Sequence, residues 1–404
     1  MSDSLQADWL SMQYDSFQRF FSKENPPPEI SLQSIIDESK YWSPLLIDNW
    51  DITAPPNNPS DCIVTNQSCV RKLSFTALYR GETKIKEKTQ TVTIPSPTHY
   101  GEFILQSNGI KANRYLLIMD VARSSGIHYK IRKTKGAKIR ELIIKSLMGK
   151  QYKYVINENN EKPVEQKSNP IGNNFSIIGK KQIAHQLENK EAIGIENPIL
   201  TEDEFDVIIK SFEDDQLAKE TDERSWMNLK VNLIGDHLCK IFYNWLYETE
   251  TRYKNIKHVQ PILLLQKNIK TFFKNSDLFQ LVDSTNPLSQ ISQKRRLTLT
   301  KHPGFPSKGL LLEKRDIHPT DFGRVCSIET PQGKKLGFNL YLTKDARISS
   351  IGTIETLFKD IYSGDGVFYD PFEEAEKVKA VCTADTVNLF YAIKQHRRYR
   401  HMNF

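Results

Sequence analysis

The side chains best suited to chemistry are cations and glycines gathered in three short stretches. In DSTNPLSQISQKRR (283–296), Asn286 and Pro287 favour a turn, after which Lys294, Arg295 and Arg296 follow one another. Three adjacent cations repel unless anions lie close on more than one side, and guanidinium forks match phosphate oxygens in pairs. A solvated basic loop is the competing reading. In KRDIHPTDFGRVCSIETPQGKKLG (314–337), Gly323, Gly333 and Gly337 permit tight turns, and Pro319 and Pro331 stiffen the loop. Arg315, Arg324, Lys334 and Lys335 supply phosphate-binding charge there, with Asp316 and Glu329 as ion-pair partners to orient them. Buried Arg–carboxylate struts fit Arg315 and Arg324 equally well. His318 has no nucleophile nearby and reads as a hydrogen-bonded structural histidine. The third stretch, KIRKTKGAKIR (130–140), holds six cations in eleven residues. It either tracks a nucleic-acid backbone by charge or protects a strand edge from aggregation.

Several absences narrow the chemistry. The sequence has no GxxxxGK[ST] loop, no dinucleotide fingerprint, no HExxH and no D-x-D-x-D cluster for paired Mg²⁺ ions. Cys62, Cys69, Cys239, Cys326 and Cys382 show no C-x-x-C spacing and are expected as reduced thiols. No structural metal is expected. With 38% hydrophobic and 26% charged residues over 404 positions, the composition is that of a water-soluble globular chain of two or three domains. The central apolar run at 261–265 is far short of the ~20 residues a bilayer span needs. Asp3 and Asp8 at the N-terminus argue against a secretory or transit peptide. The formal charge of +7 is modest, but it is unevenly spread. Residues 201–224 hold ten acids and three bases, whereas residues 286–315 hold seven bases and one acid. Such sorting is expected when one face meets nucleic acid and another does not.

These stretches need elements to position them. Trp9, Met12, Tyr14, Phe17, Phe20 and Phe21 predict an amphipathic helix stopped by Pro26–Pro28. Residues 60–130 read as strands: CIVTNQSCVRKLSFTALY, TVTIP, GEFIL and RYLLIM. The polar run NENNEKPVEQKSNPIGNN (157–174) reads as a linker or flexible insertion. Phe205, Ile208, Ile209 and Phe212 predict an acidic surface helix whose carboxylates near 202–206 face solvent. Two core helices follow, one carrying Ile234, Leu238, Ile241, Trp245 and Leu246, the other Ile262, Leu265, Ile269, Phe272 and Phe273. From Asp277 to Leu342 the pattern breaks into short pieces, the usual form of a functional loop region.

Read together, FFKNSDLFQLVD (272–283), NPLSQISQKRR (286–296) and DIHPTDFGRVCSIETPQG (316–333) resemble the N-terminal part of the beta subunit of bacterial-type RNA polymerase. The last stretch is similar to the family signature D-V-H-P-T-H-Y-G-R-x-C-P-I-E-T-P-E-G. The resemblance spans most of 8–130 and 226–365. It implies an α+β multi-domain fold of protrusion, reduced lobe and fork. The expected divisions are 1–132 for the first part of the protrusion and 133–225 for the lobe with its linker. Residues 226–282 would return to the protrusion, 283–345 form the fork and RNA-channel loops, and 346–404 begin the next domain with a basic tail.

The resemblance also implies roles. Arg123 falls on the far wall of the RNA pocket. Gln280, Asp283, Arg295, Arg296 and Thr298 line the RNA path, and Thr300–Leu310, with Lys301 and Lys308, faces downstream DNA. Glu329, Pro331 and Gln332 lie near the RNA 3′ end. Gln293 stands where relatives usually carry His, Ser125 replaces Pro, Gln332 replaces an acid, and Lys334–Lys335 replace Pro-Asn. The chain would hold the RNA–DNA hybrid and downstream DNA, while Mg²⁺ on a beta-prime subunit performs nucleotidyl transfer. Implied partners are a separate C-terminal section of beta, beta-prime, an alpha dimer and a sigma-type specificity factor, with DNA template, RNA product and nucleoside triphosphates; no membrane is involved. A split subunit of this kind points to the plastid stroma, with bacterial cytoplasm as the alternative. A free-standing nucleic-acid-binding or regulatory protein derived from a polymerase fragment is the competing function.

Overall fold

A computed structural model describes residues 8–23, 31–43, 45–53, 59–79, 88–107, 111–134, 137–147, 150–157, 160–165, 170–187, 190–217, 221–255, 261–299, 315–359, 365–381 and 390–394. They form a mixed α and β structure with several separate sheets. The chain begins α1 (Asp8–Phe20), α2 (Leu32–Trp42), β1 (Leu45–Ile52), α3 (Pro59–Val64), β2 (Val70–Tyr79), β3 (Lys88–Pro95), β4 (Glu102–Ser107), β5 (Lys111–Leu117) and β6 (Met119–Arg123). It continues through β7 (Gly126–Thr134), β8 (Ala137–Lys145), β9 (Gln151–Asn157), β10 (Asn160–Glu165), α4 (Ser176–Gln186), α5 (Glu202–Glu213) and β11 (Leu229–Asn232). Next come α6 (Ile234–Asn255), α7 (Pro261–Asn275), β12 (Phe279–Leu281), α8 (Pro287–Lys294) and β13 (Arg296–Thr298). The last elements are β14 (Asn339–Tyr341), β15 (Ala346–Ile348), β16 (Ile354–Lys359), β17 (Gly366–Tyr369), α9 (Pro371–Ala375), β18 (Lys377–Val381) and β19 (Phe390–Lys394). Two compact units result: Met1–Asp120 with Asn232–Thr298, and Val121–Val231 with Leu299–Phe404.

The first unit packs α1, α2, α6 and α7 against the antiparallel sheet β1-β2-β3. The aromatic stripe of α1 supplies Phe17, Phe20 and Phe21, which meet Phe242 and Trp245 of α6 in one core. The start of α6 is capped from a distance. Gln13 Oε1 accepts from the Ile234 amide at 2.9 Å and Ser16 Oγ from the Gly235 amide at 3.0 Å, so α1 satisfies donors that α6 cannot. Gly235 is required at this crossing, because a Cβ there would lie 2.8 Å from the Ser16 carbonyl oxygen. A second sheet, β12-β5-β4, lies in the same unit.

Two strand expectations need correction in this unit. The segment from Cys62 to Val64 is helical, in α3, and β2 begins only at Val70. Pro59 at the first helical position and Asp61 in the first turn start a helix that the β-branched residues do not override. RYLLIM is not one strand either. β5 stops at Leu117, the Ile118 amide donates to the Leu278 carbonyl at 2.9 Å, and β6 then pairs parallel with β13.

In the second unit β7, β8, β9 and β10 form an antiparallel meander covered by α4 and α5. The expected linker is therefore folded at both ends: Asn160–Glu165 is a strand, and the chain from 170 leads into α4. Composition alone missed this because backbone pairing, supplied by β9, orders a polar strand. Gln182 of α4 acts as a surrogate strand for the outer edge of β7. Its Oε1 accepts from the Ile127 amide at 2.8 Å and its Nε2 donates to the Ile127 carbonyl at 2.6 Å. The expected helix over Phe205–Phe212 is α5, with a capping box between Thr201 and Glu204. Glu204 does not face solvent, however: it is buried and paired with the fully buried Lys180. Its ionised form is kept by Lys180 and by the amides of Thr201 and Gly194 against the cost of burial.

Candidate nucleic-acid interface

In the first unit the sequence-predicted residues Gln280, Asp283, Arg295 and Arg296 come together around β12, α8 and β13. Pairing of β12 with β5, Gln280 opposite Leu116, fixes where this segment starts. Asn286 caps α8 by accepting from the Ser289 amide at 2.7 Å, and Pro287 follows as the first helical residue. Asp283 holds the intervening turn. Its carboxylate accepts from the Thr285 amide at 3.0 Å, from the Thr285 hydroxyl at 2.5 Å and from the Ser289 hydroxyl. Those donors, Ser289 foremost, bring the Asp283 carboxyl down to about 2. Gln293 staples the turn from the far side, accepting from the Asp283 amide at 2.8 Å and donating to the Leu281 carbonyl at 2.8 Å.

The three consecutive cations do not project together. Lys294, in the last turn of α8, pairs with Glu102 at 3.1 Å. Arg295 caps the helix, and Arg296 opens β13 with a guanidinium bond to Gln280 Oε1 at 3.2 Å. Ending a helix at Arg295 changes the direction of successive side chains, and Glu102 pairs with the first of them, which together relieve the repulsion. Thr298 is buried. Lys301, Lys308 and the 300–310 segment lie outside the described residues. The sequence reading missed Leu281 and Leu288, which are 58% and 74% exposed beside Asp283. Leucines bracketing a polar turn are the available signal.

In the second unit the signature stretch folds around two buried ion pairs. Asp321 accepts from Arg224 at 3.0 Å and from the Trp226 indole at 2.7 Å, while His318 links Thr320 to Asp222. The His318 bond holds the Asp222 carboxyl below its ordinary value. Arg324 resolves as a strut and not a phosphate ligand. Its side chain is fully buried, donates to the Ile354 carbonyl at 2.9 Å and to the Thr320 carbonyl at 3.2 Å, and pairs with Glu374. Its orienting acid is thus Glu374 of α9, outside the signature itself. Arg315 is half-buried with its guanidinium 4.8 Å from the centre of the Phe338 ring. Gly337, at φ +73°, lets that stacking happen, since a Cβ would lie 2.6 Å from the Arg315 carbonyl.

Beyond Cys326 the chain forms a loop tied by Thr330, whose hydroxyl accepts from the Gly337 amide at 3.2 Å and donates to the Asn339 carbonyl at 3.2 Å. Glu329 and Pro331 are half-buried on it, and Lys334 and Lys335 sit in a 3-10 turn, Lys335 exposed. Ile317, Phe322 and Ile328 are exposed on this stretch, at 57%, 67% and 87%. That apolar display was not anticipated.

Also in this unit, Arg123 and two cations of the 130–140 run, Lys130 and Arg140, are paired with the acidic stretch. Arg123 pairs with Glu223 at 2.6 Å, Lys130 also pairs with Glu223, and Arg140 pairs with Asp215 at 3.1 Å. Arg132 pairs with Glu141 of the facing strand at 2.9 Å. Folding thus sets acids from 201–224 against this hairpin. Among the described residues, no group of three or more His, Cys, Asp or Glu side chains is placed to hold a metal ion, and no helix is long and apolar enough to cross a membrane.

Residues 280–348 match the family described as RNA polymerase Rpb2, domain 3. This chain is a relative of the RNA polymerase beta subunit. The match starts at Gln280 and runs past the signature stretch, so it takes in the Asp283 turn and the signature stretch itself. The beta subunit of DNA-directed RNA polymerase from Myxococcus xanthus is 30% identical over 235 residues, 54% of this chain and 16% of that protein. The Mycoplasmopsis pulmonis beta subunit is 31% identical over 228 residues, 50% of this chain and 19% of that protein. The Stigeoclonium helveticum "DNA-directed RNA polymerase subunit beta N-terminal section" is 40% identical over 126 residues, 30% of this chain and 18% of that protein. The alignments thus span under a fifth of the length of these curated relatives.

Proposed function

We propose that this chain is the N-terminal section of the beta subunit of a DNA-directed RNA polymerase, made as one of two beta polypeptides in a plastid stroma. Residues 1–132 and 226–282 correspond to the protrusion, residues 133–225 to a reduced lobe, and 283–345 to the fork and RNA-channel loops. The carrying observation is the Rpb2 domain 3 match over 280–348, which coincides with the Asp283 turn and the Arg315–Phe338 stack. Arg295, Arg296, Arg315, Lys335 and, from outside the described residues, Lys301 and Lys308 neutralise phosphates of the RNA–DNA hybrid and downstream DNA. Gln280 orients Arg296 for that contact. Asp283, ionised well into acid, keeps the turn beside Leu281 in one shape. The Mg²⁺ ions of nucleotidyl transfer would be held by a beta-prime subunit. A C-terminal beta section, an alpha dimer and a sigma-type factor complete the assembly. The wall raises rate by positioning and by lowering charge repulsion.

The test is to tag the chain in its source organism, purify it at moderate salt and assay Mg²⁺-dependent, DNA-templated RNA synthesis. Co-purification of beta-prime, alpha and a separate C-terminal beta polypeptide with that activity is the expected result. A lone, inactive chain overturns the proposal in favour of an independent nucleic-acid binder.

A further inference from the structure

The first unit contains a half-enclosed cavity of about 410 Å³ that the polymerase reading does not use. That volume falls in the ~300–1,000 Å³ range of small-molecule sites. One wall is α7, where residues four apart share a face. Ile269 and Phe273 form one stripe of that wall, and Gln266, Lys270 and Lys274 form the next. The opposite side comes from β4, β5 and β12 through Leu105, Tyr115 and Phe279. Phe273 and Phe279 meet with ring centres 5.0 Å apart, which makes the floor apolar and aromatic.

The polar groups are arranged at the rim. Gln266 is committed: its Oε1 accepts from the Thr93 amide at 3.0 Å and its Nε2 donates to the Thr93 carbonyl at 3.2 Å, closing the cavity against the edge of β3. Lys270 and Lys274 are exposed at the mouth, one helical turn apart. Among the described residues lining the cavity none is acidic. Two exposed lysines in the lining beside the Phe273–Phe279 pair, with no carboxylate among the described lining residues, favour one kind of guest. An apolar body can be desolvated against Phe273, Phe279 and Ile269 while a single anionic head stays at the lysines, half in water.

We propose that this cavity binds an amphiphilic organic anion, with an aryl or acyl body inside and a carboxylate head held by Lys270 and Lys274. The site is independent of phosphate contacts at Arg295 and Arg296, so it stands or falls apart from the transcription role. The experiment is calorimetric titration of the full 404-residue chain with 4-phenylbutyrate, alongside the neutral 4-phenylbutanol. Saturable binding of the carboxylate is expected, with the alcohol about tenfold weaker, the usual scale of one charge-assisted contact. The double variant K270E/K274E should lose binding, K270R/K274R should retain it, and K267E, an exposed change on the same helix outside the cavity, should leave it unchanged. No saturable binding by the wild-type chain, or equal binding of acid and alcohol, overturns the proposal without reference to any variant. Equal loss in K267E and K270E/K274E also overturns it, because only general charge attraction would then be at work.

Discussion

Arg324→Met separates the strut from the phosphate ligand at the centre of the signature. In the folded chain Arg324 has no exposed surface and satisfies the Ile354 and Thr320 carbonyls together with the buried Glu374. Methionine fills similar volume but removes the guanidinium that pairs with Glu374 and donates to two carbonyls. Removing one member of a buried pair costs about 3–5 kcal/mol, most of it from the stranded charge. At ~1.4 kcal/mol per factor of ten, that is roughly two to three and a half powers of ten in local opening. Hydrogen exchange read by mass spectrometry on peptides covering 320–326 and 354–359 measures it directly, up to the ceiling set by global unfolding. The double variant R324M/E374Q should recover part of the loss, since no charge is then stranded. The reasoning is refuted if R324M exchanges within about threefold of wild type while nucleic-acid binding falls, for that is the signature of a phosphate ligand.

Other outcomes follow from the same structure. Arg296→Ala in the assembled enzyme should weaken nucleic-acid binding and reduce the slope of log K against log salt by about one, as loss of one phosphate contact requires; an unchanged slope removes Arg296 from the interface. Asp283 has a folded value near 2, below the ordinary ~3.9, so its stabilising effect is complete above about pH 4 and disappears as pH falls through about 2. A carboxyl-observed NMR titration should show this, and Ser289→Ala should move the midpoint upward; a wild-type midpoint near 4 contradicts the assigned hydrogen bonds. Burial, with Arg123 and Lys145 nearby, depresses His128 to about 3. The unfolded chain therefore takes up the proton first, and the second unit should lose stability as pH falls from about 6.5 through about 3. Chemical denaturation across that window should show a smaller pH dependence for His128→Asn, and identical pH dependence would place His128 in contact with water.

Much of the positioning machinery was legible in the chain itself, where the information is local. The aromatic stripe of α1 and the spacing of Phe205, Ile208, Ile209 and Phe212 on α5 depend on neighbours within one or two turns, so residue types at the right spacing suffice to place them. The signature from Asp316 to Gly333 was likewise visible as a pattern long enough to carry a family resemblance. Local signals also misled: the β-branched residues of 62–64 lay inside a helix whose start was set by Pro59.

What only the tertiary structure decided is which charges face outward. Arg324 and Arg123 are the same residue type, and sequence left strut and ligand open for the first. Their roles are set by Glu374 and Glu223, which arrive from remote elements. The acidic stretch at 201–224 looked like a separate face until folding laid Asp215 and Glu223 on the β7–β8 hairpin. Pairing of ions is a matter of a few ångströms, and distance along the sequence carries no information about it once the chain turns back on itself. Hydrophobic stripes are therefore readable from one strand of text, whereas the free charge of a nucleic-acid surface is what remains after remote carboxylates have taken their partners.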